Sequence, residues 1–138
     1  MLTELDFIIH EQEAMQSQIE FLEKCAIRWK LTSGQEVTDQ KSLTQLILTT
    51  YYLREGFDEH YKHGDYYIQS RFGPLVTCEI KLKHQTITNA FDILCRSLTG
   101  LNDKVQEFDR DHISEIIDGL CRSLNMFCLE ESKLFNPI

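Results

Sequence analysis

Helix breakers are the feature that most narrows what this chain can become. Only two prolines, Pro74 and Pro137, occur in 138 residues, and glycines are few. Between the breaks, apolar residues recur every three or four positions over long stretches, the period of one helical face. The spacing predicts four long helices. The first runs from about Thr3 to Trp29, with an apolar arc of Leu5, Ile8, Met15, Ile19, Leu22 and Ala26. The polar segment LTSGQEVTDQ reads as a loop. The second helix is expected from near Lys41 to Phe72, because Gly73-Pro74 cannot continue it. Its seam is Leu46, Thr50, Leu53, Phe57, His60, Gly64 and Ile68. The third is expected from about Leu75 to Thr99, with Thr77, Ile80, His84, Ile87, Phe91, Leu94 and Leu98 on one face and Gly100-Leu101-Asn102 as its end. Asp109 or Asp111 is the expected cap of the fourth, which continues to about Phe135 along Ile116, Leu120, Ser123, Phe127, Glu130 and Leu134. Four such helices with short connections imply an all-α, antiparallel up-down-up-down four-helix bundle, one domain over 1–138.

Bulk composition excludes several classes. With 42% apolar residues the chain can bury a core. A net charge of −8 argues against nucleic acid and would permit docking onto a basic protein partner. No apolar run approaches the roughly 20 residues of a membrane span. The acidic, amphipathic start MLTELDFIIHEQE does not read as a signal peptide, so a cytoplasmic location is expected. The five cysteines form no CxxC pair and mostly sit among apolar residues, which reads as small reduced core side chains. Without a phosphate loop, a nucleophile elbow or a Cys-His dyad, no enzymatic activity is expected.

Polar residues on apolar seams carry the functional signal. His60 and His84 lie on the seams of helices two and three, and either Glu130 or Glu131 lies on that of helix four. His10 falls at the edge of the first arc. Height is an independent criterion. His60 stands about 13 residues before the Gly73-Pro74 turn and His84 about 10 after it, nearly level at a rise of about 1.5 Å per residue. His10 and Glu130 fall near the same height. Imidazole and carboxylate together suit iron, zinc or manganese. The alternative is a set of neutral, hydrogen-bonded core histidines. The tyrosines Tyr51, Tyr52, Tyr61, Tyr66 and Tyr67 read as bundle-edge residues, and His63 and His112 as exposed.

These segments resemble the hemerythrin-like (HHE cation-binding) bundles over nearly the whole chain. IIHEQEAMQSQIEFLEK resembles the family's opening helix, EHYKHGDYYIQSRFGP its HFxxEE segment, IKLKHQTITNAFDIL its third helix and MFCLEESKLFNP its HxxxEExxLFP ending. The resemblance implies a non-haem di-iron centre (or another divalent metal) that carries, stores or senses a small ligand such as dioxygen. It implies His10, His60, His84 and Glu130 as metal ligands. Three further ligand positions are occupied by Gly64, Ile80 and Met126, so the implied ligand set is incomplete. His63, Asp65 and Glu131 lie nearby, although helical angle turns His63 and Asp65 away from the His60 seam. A second, weaker resemblance is to the Rsd/AlgQ sigma-factor-binding regulators, through EHYKHGD, EFDRDHISEIIDG and FCLEESKL. It implies a metal-free bundle that regulates a protein partner, for example in transcription.

Overall fold

The computed structural model describes residues 3–101, 105 and 107–135. Among these residues there are four α-helices and no strand: α1 (Glu4–Leu31), α2 (Glu36–Arg71), α3 (Pro74–Thr99) and α4 (Glu107–Phe135). Asn102, which the sequence reading placed at the end of helix three, lies outside the described residues.

Local chemistry sets most boundaries. Thr3 caps α1 in a reciprocal box with Asp6: the Thr3 hydroxyl accepts from the Asp6 amide, and the Asp6 carboxylate accepts from the Thr3 amide. Those bonds hold the Asp6 carboxyl below its ordinary value. Gly34, at φ +85°, reverses the chain after α1. Gly73 is extended, as the residue before a proline tends to be, and Pro74 opens α3 in its first turn, where its missing N–H costs nothing.

Two boundaries differ from expectation. The second helix begins at Glu36 rather than near Lys41. Its extra turn is solvent-facing, so no apolar periodicity marks it. What holds it is polar: Asp39 is clamped by Thr32 and Arg110, and acidic Glu36 and Asp39 suit a helix N-terminus. The fourth helix begins at Glu107, so Asp109 and Asp111 lie inside it rather than ahead of its first turn.

In packing, α1 lies against α2 and α4, and α3 against the same two helices. All seven predicted seam residues of α2 are buried. On α3 the apolar seam residues are buried, while Thr77 and His84 are half-buried. The inward face of α4 is different. Leu120 and Phe127 are buried as expected, but Ser123 is exposed and Ile116, Glu130 and Leu134 are only half-buried. The buried line is Ile113, Ile117, Leu120, Leu124, Phe127, Glu131 and Phe135. It has the same spacing, but it brings Leu124 inward instead of Ser123, which removes more apolar surface from water. Phe57 centres the core, with ring contacts to Phe91 and Phe127 at 6.1 and 5.2 Å.

Candidate functional site

The polar residues of the core collect where α1, α2 and α4 meet. His60 on α2 and Glu131 on α4 are both 1% exposed, and His60 Nε2 lies 2.8 Å from Glu131 Oε1. The other ring nitrogen of His60, Nδ1, stands 3.5 Å from Glu11 Oε1 on α1, too far for a well-formed hydrogen bond. Glu11 in turn accepts from His63 Nδ1 at 2.8 and 3.0 Å. The order Glu131, His60, Glu11, His63 thus leads from the centre of the bundle to solvent, where the His63 side chain is 42% exposed. Gln12, also buried, braces this layer: its amide donates to the Cys128 carbonyl at 2.8 Å and accepts from the Ser132 hydroxyl at 3.0 Å.

Gly64 makes the arrangement possible. A Cβ at this position would lie 3.0 Å from Glu131 Oε2 and 3.6 Å from Phe135. The missing side chain gives the Glu131 carboxylate room to reach His60. A glycine beside His60 can leave room for a ligand or allow close approach of a neighbour, and the structure has the second.

Burial opposes charge on His60, but the Glu131 and Glu11 carboxylates outweigh it and raise its pKa above 6.5. Burial also raises the pKa of Glu131 above 4.5, against the pull of His60. Both groups therefore bind protons more tightly in the folded chain than in the unfolded one. Linkage then requires that their contribution to stability is full at low pH and lost as pH rises. For His60 that loss begins above pH 6.5 and runs through its raised folded value. We expect the free energy of unfolding by urea to decline as pH rises above 6.5, and the decline to flatten when His60 and Glu131 are both replaced by leucine. The measurement is a series of urea titrations across that range for both proteins.

The four ligand candidates are not brought together. His60 is in the polar layer. His10 is exposed, with Nδ1 2.7 Å from the Asp6 carbonyl one turn back. His84 is level with His60, as the height argument expects, but its ring lies between Tyr61 and Phe57, with centroids 3.7 and 5.1 Å away, and its Nε2 is 3.2 Å from Asp58. Glu130 pairs with Lys83 on the outside of the bundle. Among the described residues no group of three or more His, Cys, Asp or Glu side chains stands so as to hold a metal ion. The di-iron centre implied by the resemblance does not fit this arrangement. Glu131 leans into the space beside Gly64, and Met126, where the pattern has a histidine, is 54% exposed. Sequence reasoning missed Glu11 and Gln12. An acid and an amide following His10 were the available signal, since residues 8, 11, 12, 15 and 19 share one face at helical spacing.

The remaining reactive groups are quiet. Four of the five cysteines are buried and all are free. Burial pushes the Cys121 and Cys128 thiols up to about 12, far from a nucleophile's range. No helix of the described residues is long and apolar enough to cross a membrane. Comparison with known protein families, with curated proteins and with solved structures finds no match for this chain.

Proposed function

We propose that this chain is a hemerythrin-like, antiparallel up-down-up-down bundle whose metal centre has been replaced by a hydrogen-bonded polar core, and that it acts without catalysis as a protein-binding regulator. The observation that carries the reading is the His60–Glu131 contact packed over Gly64. The residue types of a metal site satisfy one another there instead of converging on a point. Several cross-helix pairs support the topology. Cys25 meets Thr49 while Glu11 meets His63, and Arg54 meets Asp92 while Asp58 meets His84, so positions rise on one helix as they fall on the next. Gln12 with Cys128, and Lys30 with Asp111, repeat the pattern between α1 and α4. A docking role is supported by the net charge of −8 and by exposed apolar side chains such as Val37, Leu48 and Tyr52 along α2.

Affinity purification from the native cell, with and without a chelator, tests the reading. The expected result is a stoichiometric basic partner that survives the chelator and is released by salt. No partner at any ionic strength would overturn it.

One observation favours a second reading, in which a single divalent ion such as iron is held for small-ligand carriage. The Nδ1 atoms of His60 and His63 both face the Glu11 carboxylate, and Glu131 orients His60 from behind as an outer-shell carboxylate does. That ion would have to draw Glu11 away from His63, and its ligands would be Glu11, His60 and His63.

A further inference from the structure

The outward turn of Met126 and Glu130 has a consequence on the surface between α3 and α4. There they help to line a groove of about 380 Å³, within the size range of small-molecule sites. Leu82, Ile87, Met126 and Phe127 make its apolar floor and wall, with Leu82 and Met126 63% and 54% exposed. Two cations stand at the rim, Lys83 and Arg122. Lys83 is neutralised by Glu130. Arg122 spends its Nε on the Asp118 carbonyl of its own helix, at 3.4 Å, and has no carboxylate partner among the described residues. In a chain of net charge −8, this groove combines contiguous apolar surface with an unpaired guanidinium.

We propose that the groove binds an amphiphilic organic anion, an alkyl or aryl carboxylate whose apolar body lies on Met126, Ile87 and Leu82 and whose head group meets Arg122. Charge complementarity selects the head: a guanidinium presents a planar fork that matches a carboxylate, and a cationic or neutral head would leave it unused. Length selects the body. The α4 wall from Arg122 to Glu130 spans about 12 Å at 1.5 Å per residue, which suits a medium-length chain lying along the groove. No residue of the polar layer around His60 and Glu131 lines the groove.

The test uses the full chain and three probes: the fluorescent arylsulfonate ANS, decanoate below its micellar concentration, and decanol. Decanoate is expected to displace ANS, and nonanoate to bind about fourfold more weakly for the one methylene removed. R122E is expected to weaken decanoate at least tenfold and decanol less than threefold. M126D is expected to weaken both. Both positions face solvent, and unchanged circular dichroism verifies folding. No displacement of ANS by decanoate, or equal affinities for decanoate in the wild type and R122E, would overturn the proposal.

Discussion

Glu131→Ala is expected to lower the stability of the bundle by about 3–5 kcal/mol, the usual cost of removing one partner of a fully buried charged pair. The substitution leaves His60 at 1% exposure with no acceptor for Nε2, and opens a void between Gly64 and Phe135. Replacing both partners by leucine is expected to recover most of the loss, because it removes the desolvated polar groups together. Urea unfolding of His60→Leu, Glu131→Leu and the double leucine variant completes the cycle. A coupling above about 1 kcal/mol supports a direct buried interaction, and simple additivity would count against it. Hydrogen exchange locates the damage. Protection should fall in α4 around residues 124–135 and in α2 around His60, while the Arg110 end of the bundle keeps its protection.

Arg110→Ala is expected to cost about 3 kcal/mol at that other end, as an uncompensated, partly buried carboxylate is left behind. Arg110 is 3% exposed and ties three helices. Its Nη1 donates to the Trp29 carbonyl at the end of α1 and to Asp39 at the start of α2, both at 2.8 Å, and its guanidinium lies 4.8 Å from the centre of the Trp29 ring. Burial pushes the Asp39 carboxyl up, and the Arg110 and Thr32 hydrogen bonds outweigh it to hold the value below 3.8. Without the guanidinium, Asp39 and the Trp29 carbonyl lose their shared donor, and the first turn of α2 should fray back toward Lys41. Lysine at the same position keeps the charge but not the fork, so Arg110→Lys should recover only part of the loss. Thermal unfolding measures the size of the effect, and exchange at residues 36–40 its location.

How far the sequence could be read follows from where its signals lie. The α2 seam was legible to the residue because each of its positions is fully inside, and His60 and Gly64 stood out there as the wrong types for a core. The level of His84 was legible from its distance to the Gly73-Pro74 turn, and it does meet Tyr61, the neighbour of His60. Its orientation was not, because Phe57 and Tyr61 capture the ring from its own side of the bundle. The inward face of α4 was ambiguous by one residue, since Glu130 and Glu131 fit two equally periodic lines, and Leu124 against Ser123 decided it. The first turn of α2 left no apolar trace, and the Arg110 clamp joins positions 29, 39 and 110, which no local pattern connects.

On the proposed reading, the His60–Glu131 pair stands where a metal centre would otherwise be built. Iron stoichiometry tests it most directly: protein produced and purified anaerobically with excess ferrous iron, desalted and analysed for metal per chain. Far less than one iron per chain, and an unfolding transition that a chelator does not shift, are expected. Two tightly held irons per chain, lost together with the fold on chelation, would contradict it.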